Sequence, residues 1–254
     1  MWRDRLEFSW RSEVGLVRSR NEDAVAVEPD LGLVVVADGV GGANAGDVAS
    51  HLASEVISNR FRRQTLKRGD PEKARRFVEA AVDEANAAVW DLAQQREDCV
   101  GMGTTVVAAF CAGRWLAYAY VGDSRLYLLR DGRLTQLSCD HSFIQEVVDQ
   151  GFFRSVEEAR RYGISDNILT RALGSADQVR VSSDVTEIHA GDLFLICTDG
   201  LSNMISDAWL AEILNAGVAG DLNTLAETLL GVATERGGSD NITLVLVRAA
   251  SDTD

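Results

Sequence analysis

Three apolar runs of strand length, 104–111, 114–121 and 125–130, follow one another with only two or three residues between them. Links that short leave no room for the crossover of a dozen or more residues that a parallel pair needs. The rest of the chain fits around them. Strands are expected at 5–16, 24–28 and 32–37, the last two joined through Pro29-Asp30. Val48, Leu52, Val56 and Ile57 then recur at helical spacing. A longer helix opens at Asp70-Pro71, a good N-cap and first position, and carries an apolar stripe through Ala74, Phe77, Val78, Ala81, Val82, Ala85, Val89 and Leu92. Asp131-Gly132 is a hairpin turn signal. Short helical pieces are expected at 142–150 and 155–162, strands at 179–186, 192–197 and 242–248, and helices at 207–216 and 221–235. The order is strands, two helices, strands, two helices, strand. It predicts an α+β chain of antiparallel sheets with helices packed outside. No internal repeat or long linker divides it, so residues 1–254 read as one domain.

The composition narrows the function. The formal net charge is −14, which repels nucleic acid and anionic membranes at long range. Neither is expected as a partner. Four cysteines, Cys99, Cys111, Cys139 and Cys197, form no C-x-x-C and read as reduced core residues of a cytoplasmic protein. The first residues show no apolar block of a signal peptide. The run "TTVVAAFCAGRWLAYAYVG", 104–122, carries Arg114 at its middle, which costs about 2.5–3.5 kcal/mol in a bilayer. Ala112-Gly113-Arg114 is therefore expected to be a turn between two buried strands.

Four aspartates stand at the ends of apolar runs: Asp38 after "LVVVA", Asp123 in "VGDSR", Asp199 after "FLICT" and Asp240 before "NITLVLV". Singly, each is an ordinary turn residue. Jointly, strands of one core bring their ends to one edge, where the carboxylates would repel one another and raise each other's pKa. A hard divalent cation, Mg²⁺ or Mn²⁺, removes that conflict. Glycine beside Asp38 would let a backbone carbonyl reach it. Zinc is disfavoured, with three histidines and no paired-Cys or HExxH spacing. In "RSRNED", 18–23, Arg18 adds an anion-binding guanidinium beside Glu22 and Asp23; the plainer reading is a charged loop. "GVGGAN" imitates a dinucleotide fingerprint, but Asn44 stands where the third glycine belongs, and no P-loop is present.

Together these motifs resemble the metal-dependent protein serine/threonine phosphatases of the PP2C type, in their bacterial form. The matching pieces are "GLVRSRNEDA" (15–24), "VVVADGVGGANAGDVAS" (34–50), "GMGTTVV" (101–107), "VGDSRLYLLRDGRLTQLSCDHS" (121–142), "ILTRALG" (168–174), "GDLFLICTDGL" (191–201) and "SDNITLVLV" (239–247). They occur in family order over nearly the whole chain. The resemblance implies a four-layer αββα sandwich, two antiparallel β-sheets flanked by helix pairs, with a flap over about 142–178. It implies that Asp38 bridges two Mn²⁺ or Mg²⁺ ions, that the Gly39 carbonyl is a ligand of one, and that Asp199 and Asp240 are ligands of the other. It makes Glu22 and Asp23 acceptors for metal-bound waters, Arg18 the grip on the substrate phosphate, and Asp123 with Asp199 the holders of a third, weaker ion.

The implied reaction is hydrolysis of phosphoserine or phosphothreonine on proteins by a water activated between two metals roughly 3.5–4 Å apart. The enzyme would be a monomer opposing a serine/threonine kinase, with that kinase or its targets as partners. Val40 departs from the many eukaryotic members that carry His there, leaving the proton donor open; His51 is expected on a helix flank and His141 under the flap. A pseudophosphatase that binds phosphoproteins, a dimetal nuclease and a small-molecule phosphoesterase are the alternatives. Intact Asp38, Asp199, Asp240 and Arg18 argue against the first, and the acidic surface against the nuclease.

Overall fold

The computed structural model describes residues 5–40, 45–63 and 69–250. Gly41 and Gly42 of the glycine-rich motif lie outside them. Eleven strands form two sheets among the described residues. One sheet runs in the order β1 (Leu6–Glu13), β11 (Ile242–Ala249), β10 (Leu193–Cys197), β7 (Arg125–Arg130), β8 (Arg133–Gln136). The other runs β2 (Asp23–Glu28), β3 (Leu33–Val40), β5 (Val106–Ala112), β6 (Trp115–Val121), β9 (Ser182–Glu187), with the two-residue β4 (Gly103–Thr104) paired to the end of β3. Every pairing is antiparallel. The 104–122 run folds at Gly113-Arg114, with Ala112 opposite Trp115. No described helix is long and apolar enough to cross a membrane.

Three apolar layers separate four structural ones. Between the sheets lie Val36, Val107, Tyr118, Phe194, Ile196 and Val245. Outside the β2-containing sheet pack α1 (Gly46–Arg63) and α2 (Pro71–Gln95). Outside the other pack the short α5 (Asp199–Ser202), α6 (Asp207–Gly217) and α7 (Leu222–Glu235). This is the αββα sandwich. Asp70 caps α2 by accepting from the Lys73 amide, and Pro71 follows at its first turn. Asp131 (φ 50°) and Gly132 (φ 77°) make the tight β7–β8 turn.

One expectation is refined and one needs correcting. In α1 the helical spacing holds, with Ile57 buried and Val48, Leu52 and Val56 packed partly buried against the core, but Ala49 and Ala53, with Ser50, Ser54 and Ser58, are buried more deeply than those three. Small side chains at the contact let the helix backbone approach closely. Cys139 is exposed, unlike Cys99, Cys111 and Cys197, because it sits in the polar connection after β8. Residues 142–178 hold α3 (Phe143–Asp149) and α4 (Val156–Arg161). This excursion is tied at its base by Ser142 opposite Leu169 and by the Thr170 amide on the His141 carbonyl.

Candidate active site

The two sheets meet at one end in a cleft of about 570 Å³. Arg18, Glu22, Asp38, Gly39, Asp123, Asp199 and Asp240 all line it. Of the metal-site and phosphate-site residues expected from the sequence, Asp23 alone does not: it is 4 % exposed and lies behind the wall. Glu22, Asp38 and Gly39 come from the β2–β3 side, Asp199 and Asp240 from the β10–β11 side, so the cleft straddles the seam of the sandwich.

Asp38 is on the strand, not past it, since β3 continues to Val40 by pairing with β4. Its amide donates to Thr105 Oγ1, and its carbonyl accepts from the Thr105 amide and Thr104 Oγ1. The backbone around the carboxylate is thus fixed on both sides. Gly39 is needed for a reason other than access to a ligand. A Cβ there would lie 2.3 Å from the Gly46 backbone. Conversely, a Cβ on Gly46 would press within 2.5 Å of the Glu22 carboxylate and 2.9 Å of the Gly39 carbonyl oxygen. The two glycines let the first turn of α1 lie against β3 and leave both oxygens clear.

Asp199 opens α5 rather than closing β10. Asn203 Nδ2 donates to its Oδ2, while its buried Oδ1 has no hydrogen-bond partner. The preceding Thr198 donates from Oγ1 to Asp23 Oδ2 at 3.0 Å and accepts the Thr243 amide. Asp23 Oδ1 is also buried and unpartnered. Asp240 accepts from Arg18 Nη2 at 2.8 Å and from the Asn241 amide. Arg18 therefore stands at the cleft rim already bound to a carboxylate. Asp123 sits between β6 and β7, held through Gly122: the Gly122 amide donates to His141 Nδ1, and the His141 amide donates to the Gly122 carbonyl.

Asn241 is the residue the sequence motifs left without a role. Its Oδ1 accepts the Glu22 amide, and its Nδ2 donates to the carbonyls of Val14 and Arg20. One side chain thereby ties the Arg18 loop to the start of β11. A local hint existed, an amide directly after the aspartate in "SDN", but its partners are over two hundred residues away.

The electrostatics follow from crowding. Burial, then the charges of Asp23, Asp199, Asp123 and Asp240, hold the Asp38 carboxyl well above the ordinary range. Burial pushes Asp23 up to about 7, and burial with Asp199 and Asp140 pushes Asp123 up to about 7. Asp199 is raised by burial and Asp240. Neither histidine lines the cleft. His141 is pushed down to about 4, by burial first and then by Arg171 and Arg180. Its Nδ1 accepts from the Gly122 amide, and its Nε2 lies 3.0 Å from Ser182 Oγ and 3.1 Å from Arg171 Nη1. His51 is exposed on α1, with Nδ1 at the Asp47 carbonyl.

The donor set suits a hard cation. Five carboxylates face one cleft, with only Arg18 and Arg20 as cations on its walls. Asp199 offers an unpartnered oxygen, and the Gly39 carbonyl is kept clear. Carboxylate and carbonyl oxygens without sulfur or imidazole match Mg²⁺ or Mn²⁺. Among the described residues no three such side chains close into a ready cage, as carboxylates that repel one another should not.

The protein-family model for protein phosphatase 2C matches residues 17–235. The serine/threonine phosphatase stp of Listeria innocua is 37% identical over 245 residues, 95% of each chain. The crystal structure of the Mycobacterium tuberculosis serine/threonine phosphatase PstP/Ppp has a TM-score of 0.86 at 36% identity, covering 96% of this chain and 99% of that one. A structure of the PstP catalytic domain in complex with two manganese ions has a TM-score of 0.84 at 36% identity, covering 97% and 99%. A family match over most of the length, a relative of equal extent and a shared fold agree with the cleft chemistry: the chain belongs to the protein phosphatase 2C family.

Proposed function

We propose that this chain hydrolyses phosphoserine and phosphothreonine in proteins, and that Asp38, the Gly39 carbonyl, Asp199 and Asp240 hold two Mn²⁺ or Mg²⁺ ions for that reaction. The observation that carries the reading is the gathering of five carboxylates in one cleft, with a buried Asp199 oxygen that no protein group satisfies. The relative whose structure holds two manganese ions supports the choice of metal. Bound there, two such ions lower the pKa of a water and offset charge on the phosphoryl oxygens.

The chain's own residues do the rest. Arg18, at the rim, offers a planar fork matched to a phosphate; its hold on Asp240 keeps it aimed at the cleft. Glu22, facing the cleft, and Asp23, with Oδ1 unpartnered behind it, are acceptors for water protons. Asp123 serves with Asp199 for a third, weaker ion. Thr104 and Thr105 hold Asp38 in position, and Asn241 holds the Arg18 loop. By the same reading the chain is one catalytic domain with a flap over about 142–178. It acts as a cytoplasmic monomer, and its substrates are a serine/threonine kinase or that kinase's targets.

The test measures phosphate release from a phosphothreonine peptide and from p-nitrophenyl phosphate, and cleavage of an oligonucleotide, with Mn²⁺ and then with EDTA. Release from the first two with Mn²⁺ alone is expected. Activity that survives EDTA, or cleavage of the oligonucleotide, would sink the reading.

A further inference from the structure

A second cavity, of about 340 Å³, opens beside the cleft. Val40 walls both. The chain returning from α4 also runs past both: Asn167 and Leu169 face the cleft, and Ala172, Gly174 and Ser175 face the second cavity. The opposite wall is the last turns of α2 with Met102. Ala93, Met102 and Ala172 are buried beneath it, Trp90 is half-buried, and Gln94 and Ser175 are exposed. Nothing in the hydrolytic chemistry uses these side chains.

Continuity with the cleft decides what this space receives. A phosphorylated side chain that reaches the carboxylates brings its own main chain across the rim, and Val40 is the wall shared with the neighbouring hollow. A side chain close to the phosphorylated residue therefore lies within reach of it. A charged side chain placed there would give up hydration without a charged partner among the lining residues, whereas an apolar one removes its own surface and that of Trp90 and Met102 from water.

We propose that this cavity binds a large apolar side chain of the phosphoprotein, such as Leu, Met or Phe, near the phosphorylated residue, and so selects which sites are dephosphorylated. The inference rests on the phosphatase reading and names a substrate class for it.

The test uses the Mn²⁺-loaded protein and phosphothreonine peptides on a serine-glycine background, with Leu placed in turn at each flanking position. At one position Leu should raise kcat/KM about 10-fold over Ser. Trp90→Ala, which removes a wall, and Gln94→Trp, which crowds the mouth, should each bring that Leu-to-Ser ratio toward one. The ratio cancels any general loss of turnover, and the scan of the unaltered protein needs no variant at all. Phosphate release at equal rates across the whole scan would overturn the subsite alone, whether a second copy or a separate partner fills the hollow. A Leu preference that survives both substitutions would do the same. No release from any peptide would remove the phosphatase reading and the subsite with it.

Discussion

Buried aspartates are treated in opposite ways at the two ends of the sandwich. Asp192 is 1 % exposed, and Arg130 meets both its oxygens at 2.8 and 2.7 Å while the His189 amide adds a third bond. At the cleft, Asp23 and Asp199 each keep a buried oxygen with no partner, and Arg18, which holds Asp240, is exposed on the rim. The chain has 25 Lys and Arg, so cations were available for pairing. Where an acid serves only the fold, an arginine neutralises it; where acids gather at the cleft, neutralisation is left to an ion from outside. That leaves the cleft the locally destabilising part of a well-paired molecule.

The contrast predicts a double dissociation. Asp38→Asn should bring turnover on a phosphopeptide to near background, while thermal unfolding in EDTA shows a protein at least as stable, because one repelling charge is gone. Asp192→Ala should do the reverse. It should cost about 1–3 kcal/mol by leaving Arg130 donors unmet, with turnover per folded molecule retained. Both variants losing stability alike, with Asp38→Asn still turning over, would erase the distinction.

A smaller kinetic effect sharpens the picture within the cleft. With Asp123 serving a third ion that aids proton delivery to the leaving oxygen, Asp123→Ala should cut kcat on a phosphopeptide by about 10²–10⁴. The loss on p-nitrophenyl phosphate should be smaller, because that leaving group needs little protonation. Equal losses on the two substrates would reduce Asp123 to a brace for its turn.

The mildest effect is on stability against pH. Without metal, Asp23 and Asp123 titrate near 7, above their ordinary value. Between about pH 4 and pH 7 the folded protein then holds more protons than the unfolded chain, so stability falls as pH rises through that window. Mn²⁺ at about 100 times its Kd should add about 2.7 kcal/mol, with the larger gain at the alkaline end. Melting curves in EDTA that do not move between mildly acidic and neutral pH would contradict the crowding of these acids.

What could be read from sequence was what local chemistry dictates. The β5, β6 and β7 strands, the Asp70-Pro71 start of α2 and the Asp131-Gly132 turn each carry their own signal, and their order gives antiparallel sheets with outer helices; that β6 and β7 belong to different sheets has no local mark. Strand β8 escaped because Arg133–Gln136 is a polar edge, put in place by the turn and by pairing with β7. In α1 the spacing of Val48, Leu52, Val56 and Ile57 marked the helix, while the burial of the small residues beside them, Ala49 and Ala53, carries no apolar signal of its own. Within the cleft, the acids announced themselves at the ends of apolar runs, and the resemblance gave them roles. The burial of Asp23 and the tie made by Asn241 depend on partners from the far side of the chain, which no local pattern encodes.

The strand that bears Asp240 and Asn241 at its head, β11, enters between β1 and β10 in the finished sheet. Its place makes the cleft an event in time as well as a location. Arg18 and Glu22 lie more than two hundred residues before Asp240 and Asn241, yet the Arg18 side chain and the Glu22 amide take those two as their partners. A growing chain can complete the outer helix pair on β3 and β5 and still own no catalytic centre. On the proposed function, capacity to act arises only when β11 slots in, so topology alone keeps an incompletely folded molecule silent.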